Sequence, residues 1–214
     1  MTLSTRLPRL AVAAMCLTSF SWAANIVVNP GFESGDLTGW TVNNSADLPW
    51  IVQGPGGRGG NPFDGGFYAN TGCVGAQCIT GTTSQQASLS QLLNTTAGQT
   101  YSLSFWFSTD NNGAPNELDV LWNGASILDL GPGGTLGSIS SFTQFTVGGL
   151  LGTGSDTLTF LGRQDPAYNA LDDVCVSTGS VCAVSSSSPE PSSILLIGSV
   201  LPLIALVRRL RRAA

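Results

Sequence analysis

Residues 100–109 read TYSLSFWFST. Tyr101, Leu103, Phe105 and Phe107 fall on one side of a period of two, and Ser102, Ser104, Trp106 and Ser108 fall on the other. Only an extended strand gathers the first set on one face, because successive side chains of a strand point to opposite sides. A helix would scatter both sets around its circumference. Outside the two ends of the chain no stretch carries a sustained helical period, so alternation governs the whole interior. The segment ELDVLWNGASILDL, residues 117–130, repeats the pattern: Leu118, Val120 and Trp122 share a face, and Asn123-Gly124 has the composition of a two-residue type I′ turn. Further strands are expected near 26–29, 40–43, 49–53, 66–70, 85–92, 142–148, 155–161 and 171–177. The stretches QGPGGRGGNPFDGG and LGPGGTLGS are too rich in glycine to pack as strands. Many short strands separated by turn signals predict an all-β chain, an antiparallel β-sandwich in its jelly-roll version.

The ends are of a different kind. Residues 1–23 carry Arg6 and Arg9, an apolar stretch and the small-residue sequence SWAA, the three parts of a secretory signal peptide and its helix. Cleavage after Ala23 leaves one domain, residues 24–182, of a size that a single core can serve. Residues 24–188 hold twelve acidic side chains and two basic ones, Arg58 and Arg163, a formal charge of −10. Such a surface repels phosphate backbones, so no nucleic-acid partner is expected. The chain has no histidine, which removes Ser-His-Asp and Cys-His chemistry and His-ligated zinc. A glycosidase needs only two carboxylates and survives that filter.

Cys73, Cys78, Cys175 and Cys182 remain after the signal. In an oxidising compartment they are expected as two disulfides. Three pairings are possible, and closeness in sequence favours Cys73 with Cys78 and Cys175 with Cys182. The CxxC spacing of a four-cysteine zinc site is absent.

The C-terminal part begins with a serine- and proline-rich linker, residues 183–191, ending in Pro189, Glu190 and Pro191. Residues 192–214 follow: an apolar run at 194–207, interrupted by Gly198 and Pro202, and then Arg208, Arg209, Arg211 and Arg212. The run is short against the roughly 20 residues of a comfortable transmembrane helix, and the arginines would hold its end in the cytoplasm. Triplet, short helix and basic end, in that order, resemble the PEP-CTERM sorting signal of Gram-negative bacteria. The resemblance implies that an exosortase is the partner. It also implies a transient anchorage in the inner membrane, cleavage near Pro189-Glu190-Pro191, and delivery to the cell surface or an exopolysaccharide matrix.

The segment NIVVNPGFESGDLTGWTV, residues 25–42, resembles the opening of galactose-binding-like jelly rolls, among them several carbohydrate-binding modules. The match rests on Asn29, Gly31, Phe32, Glu33, Gly35, Leu37, Gly39 and Trp40. Near the other end, Leu171-Asp172-Asp173-Val174 resembles the last strand of the same fold. The likeness implies that the two ends run side by side and hold a structural Ca²⁺ between Glu33 and Asp172 or Asp173, helped by carbonyls near Asn29 and Gly31. Oxygen ligands suit that cation, and simple alternation puts Asp172 on the face of Val174 and Val176. The competing reading has Glu33 capping a turn and both aspartates in solvent.

Trp106 stands among serines on the polar face of its strand. It either forms a platform on which a sugar ring stacks or lies beneath a loop or second sheet. Trp50, Tyr68 and Tyr168 lie in or beside loops and could line a ligand site. Trp40 and Trp122 are expected to pack in the core. Glu117 and Asp119 share the polar face of one strand, which suits solvated carboxylates better than a catalytic pair. Arg163 and Asp165 flank a turn. No nucleophile elbow or phosphate loop is present. The expectation is therefore a non-enzymatic, polysaccharide-associated surface protein. A purely structural matrix protein and a two-carboxylate hydrolase are the alternatives.

Overall fold

The computed structural model describes residues 24–43, 49–72, 86–110 and 115–179. The expected signal peptide (1–23), the linker and the sorting segment (183–214) lie outside the described residues, as do Cys73, Cys78 and Cys182. Cys175 is disulfide-bonded.

Among the described residues ten strands form two five-stranded sheets. They are β1 (Thr41–Asn43), β2 (Ile51–Gln53), β3 (Tyr68–Gly72), β4 (Ala87–Leu93), β5 (Thr100–Thr109), β6 (Asn116–Trp122), β7 (Ala125–Leu130), β8 (Ile139–Leu151), β9 (Asp156–Gln164) and β10 (Tyr168–Ser177). The first sheet has the order β1-β4-β9-β6-β7 and the second β2-β3-β10-β5-β8, with every named pair antiparallel. This is the antiparallel jelly-roll sandwich that the alternation predicts.

The apolar face of each strand meets the other sheet. Tyr101, Leu103, Phe105 and Phe107 of β5 are buried together with Leu118, Val120 and Trp122 of β6, Leu158 and Phe160 of β9, and Leu171, Val174 and Val176 of β10. Phe105 meets Phe160 edge-on at 5.2 Å, a contact between the two sheets. Trp40 and Trp122 are buried, as expected. Asn123 and Gly124 both have positive φ, 52° and 80°, the pair of left-handed residues that a type I′ turn requires.

The opening segment departs from expectation. Residues 26–29 form no ladder strand, because two features keep the chain off a sheet edge. Asn29 has φ 52° and Phe32 φ 59°, so the chain turns sharply. Asn29 then staples the turn: its Nδ2 donates to the carbonyls of Asp36 (3.0 Å) and Thr38 (3.2 Å), and its Oδ1 accepts from Ser34 N–H. Before this turn the segment clasps β10. Ile26 N–H donates to Val176 O, Val174 N–H donates to Pro30 O, and the Asn25 side chain bridges Val174 O and Val176 N–H.

Candidate functional site: the outer face of the second sheet and its acidic margin

The register of β10 against β5 slips between Asp172 and Cys175, where three steps on β10 match two on β5. The extra residue is Asp173, at φ 46°, and the bulge reverses simple alternation. Asp172 pairs with Trp106 and Cys175 with Ser104, so both lie on the outer face. Leu171, Val174 and Val176 point into the core. The sequence expectation that Asp172 shares a face with Val174 and Val176 is therefore corrected, and the bulge is the reason.

Asp172 is nevertheless fully buried, because the glycine-rich segment 54–66 folds back over this face. Tyr68 Oη donates to Arg58 O at 2.7 Å and Asn70 Nδ2 donates to the same carbonyl at 2.8 Å. The close approach requires a glycine: a β-carbon on Gly59, whose φ is 92°, would sit 3.1 Å from Asn70 Nδ2 and 3.4 Å from Ala170 Cβ. Further along, the amides of Phe63 (2.8 Å) and Asp64 (3.4 Å) donate to Asp172 Oδ2. The Phe63 ring then lies flat on Trp106, with centroids 3.7 Å apart and planes at 14°.

Phe142 of β8 completes an aromatic cluster, edge-on to Phe63 at 6.1 Å and to Tyr68 at 6.5 Å. Phe63, Trp106 and Phe142 are half-buried, while Asp64, next to Phe63 in the chain, and Gln144, paired with Trp106 across β5 and β8, are exposed. Trp106 is thus covered by a loop rather than bare, the second of its two sequence readings. The other aromatic candidates are placed differently. Trp50 lies in the core with Nε1 donating to Ala87 O. Tyr68 is fully buried beneath the loop. Tyr168 is half-exposed, with the Arg58 guanidinium 5.4 Å above its ring. Phe63, Phe142 and Arg58 did not stand out in the sequence. Phe63 sits in a loop whose partner strand is set only by tertiary folding.

The acidic candidates meet at the margin of this face. A β-carbon on Gly31 would lie 2.9 Å from Asp173 Oδ1, 3.7 Å from Asp172 Oδ1 and 3.7 Å from Glu33 Cγ, so glycine is what lets the three side chains converge. The Glu33 carboxylate turns away from the pair and accepts the amides of Gly66 and Phe67 at 3.0 Å; it caps a turn. Burial, then the neighbouring Asp173 charge, pushes the Asp172 carboxyl up to about 8 against three backbone amides that lower it. Burial also raises Asp173, with Asp64 and Glu33 adding to it. Asp173 Oδ2 is buried with no hydrogen-bond partner. The expectation of two solvated aspartates does not hold.

Among the described residues no group of three or more His, Cys, Asp or Glu side chains is arranged to hold a metal ion. The fit to a hard cation rests instead on the Asp172–Asp173 pair and the unsatisfied Asp173 oxygen, a donor set that main-chain carbonyls would have to complete. The Asn29 carbonyl accepts Trp40 Nε1–H at 3.2 Å and Phe32 N–H at 3.3 Å. Those contacts occupy both of its acceptor sites.

Glu117, Asp119 and Asp129 lie on the first sheet. Asp119 and Asp129 face each other across β6 and β7, and Asp119 accepts Ser126 Oγ–H. Burial raises the Glu117 carboxyl, with Asp129 and Asp119 adding to it and Gln86 and Arg163 opposing. Asp165 precedes a cis-proline, Pro166, in the turn after β9.

No family model matches the chain, and no curated protein matches it in sequence. Solved structures do match in fold. The structure of TmCBM61 in complex with β-1,4-galactotriose is 18% identical and has a TM-score of 0.55, over 72% of this chain and 98% of that one. The K1 cleaved adhesin domain of Lys-gingipain from Porphyromonas gingivalis W83 is 20% identical with a TM-score of 0.52, over 70% of this chain and 96% of that one. The enzymatically active domain of bacteriophage CBA120 tailspike protein 4 is 12% identical with a TM-score of 0.50, over 72% of this chain and 21% of that one. At these identities the likeness is one of fold, and that fold occurs in carbohydrate-binding modules.

Proposed function

We propose that this chain is an exported, non-catalytic polysaccharide-binding module. The observation that carries the reading is the half-buried aromatic cluster of Phe63, Trp106 and Phe142 on the outer face of a jelly-roll sheet, with the exposed Asp64 next to Phe63 and the exposed Gln144 paired with Trp106. Aromatic faces bordered by amides and carboxylates suit sugar rings, which present apolar C–H faces and polar edges. The fold shared with TmCBM61, solved in complex with β-1,4-galactotriose, makes β-1,4-linked galactan the first ligand to try. A Ca²⁺ ion, held by Asp172 and Asp173, would neutralise two buried carboxylates beside the loop that carries Phe63. Its role is structural, since it would fix the loop and touch no substrate.

Delivery follows from the two ends of the sequence. A signal peptide (1–23) directs export. Pro189-Glu190-Pro191, the short apolar segment and the four arginines direct exosortase processing and release to the cell surface or matrix of a Gram-negative bacterium. Intact mass measurement of the protein from its producing cells tests this; a mass that retains either end overturns it.

The binding test is affinity electrophoresis of the processed protein in gels containing β-1,4-galactan or the producer's own exopolysaccharide. Retardation that is lost in Phe63→Ala and Phe142→Ala supports the module reading. Absence of retardation in every polysaccharide favours the second reading, a structural matrix protein, which the covering of Trp106 by Phe63 supports. Release of reducing sugar that disappears in Glu117→Gln would overturn the non-catalytic reading.

A further inference from the structure

A β-sandwich has four sheet edges, and exposed edges invite pairing with other strands unless they are short, charged or bulged. Here the edges are unequal. β1 and β2 are three residues long. β7 is six residues long and carries Asp129, opposite Asp119. β8 is thirteen residues long, ISSFTQFTVGGLL, with no charged residue and no proline. Residues 130–155, which include all of β8, carry no charged side chain, whereas residues 24–188 as a whole bear a formal charge of −10. Among the described residues no strand pairs with the outer side of β8.

Bulges interrupt β8 near both ends, between the partners of Tyr101 and Leu103 and between those of Phe107 and Thr109. Between them residues 143–147 run in unbroken register with β5. Phe145 and Val147 turn toward the core yet remain only partly buried, while Gln144 and Thr146 are exposed on the outer face.

We propose that residues 143–147 of β8 pair antiparallel with the same residues of a second copy of this chain. The charge pattern selects that occupant. Two strongly acidic molecules repel each other over most of their surfaces, and the one long edge without charge is where that repulsion is weakest. An antiparallel pair of identical strands is self-complementary across a twofold axis, as a closed dimer requires. Centred on Phe145, the register brings Phe145 against its own copy on the inner face, extending the partly exposed end of the core. It sets Gln144 directly opposite Thr146 of the second copy on the outer face. The axis stands perpendicular to the joined sheet, so both aromatic clusters, next to β8 on β5 and β8 itself, face the same way. The pairing stands independently of whether that cluster binds a glycan.

The test is sedimentation equilibrium of the processed protein at concentrations up to about 1 mM, the range in which a small strand-edge contact is detectable. A concentration-dependent dimer is expected. Gln144→Glu with Thr146→Glu sets carboxylate against carboxylate across the axis and yields a monomer; both positions are exposed, so the thermal midpoint of the monomer is expected to hold. Gln144→Glu with Thr146→Lys restores opposite charges in this register and restores the dimer. A wild-type protein that stays monomeric overturns the proposal, as it would if another segment of the chain covers β8. A dimer indifferent to the double-Glu change overturns the interface, and failure of the Glu/Lys pair to rescue overturns the register.

Discussion

Asp172→Asn separates the two things its carboxylate does. In the folded chain its acidity is shifted to about 8, against 3.8 for an unhindered aspartate, chiefly by burial and then by Asp173. A carboxyl raised on folding keeps its proton in the native state where the unfolded state has lost it. Stability is therefore greatest below pH 4 as far as this group is concerned and falls as the pH rises through 8. The gap between the two values corresponds to a penalty on the order of 5 kcal/mol when the metal-free protein is fully ionised. Asparagine mimics the protonated acid. It can still accept the Phe63 amide or the Asp173 amide but not both as well as a carboxylate does, a cost of about 1–3 kcal/mol. Without a cation, Asp172→Asn should thus match the wild type near pH 5 and exceed it by several kcal/mol at pH 9. With Ca²⁺ the order reverses at pH 9, because the ion uses the charge that the apo protein penalises. Chemical denaturation at pH 5, 7 and 9, in EGTA and in millimolar Ca²⁺, reads all six conditions for each protein. Wild-type stability that is flat with pH in EGTA would refute the burial argument. Equal Ca²⁺ responses of wild type and variant would refute the assignment of the ion to Asp172.

Three further outcomes are expected. Asp156 accepts Thr95 Oγ1, Asn123 Nδ2, and both the amide and the hydroxyl of Thr153; Asp156→Ala should cost about 3 kcal/mol by urea unfolding. Burial alone would raise that carboxyl, but those bonds outweigh it and hold it at about 2, against an ordinary 3.8. Its contribution is present above pH 4 and is lost between pH 4 and 2, which acid titration of the wild type against Asp156→Asn will show. Gly162→Ala would set a β-carbon 2.6 Å from Thr71 Cγ2 and 2.8 Å from Trp50 Cζ2; overpacking of about 1–3 kcal/mol should lower the thermal midpoint, and Trp50→Phe should partly relieve it.

The strand framework was legible because the signal is local. Phe105 and Leu118 alternate with polar neighbours over enough residues to fix strand and face together, and Asn123-Gly124 announces its turn by composition. What the sequence hid depends on a single inserted residue or on contacts across long separations. The Asp173 bulge reverses the orientation of Asp172, yet nothing in LDDVCV distinguishes a bulged strand from a regular one. Phe63 reaches Trp106 across 43 positions of chain, and a glycine-rich segment gives no periodic hint of which sheet it covers. The acidic margin was visible as composition, whereas the turning of Glu33 toward the Gly66 and Phe67 amides was not.

The clasp between residues 25–30 and β10 has a mechanical consequence. β10 has β3 on one side and β5 on the other, and the chain that runs on past Ser177 leaves from its end. Tension applied through that exit acts along the strand. It loads two ladders and the clasp in shear, so many bonds must yield at once rather than peel one by one. A domain tethered by this end would resist drag in flow far better than one hung from an edge strand.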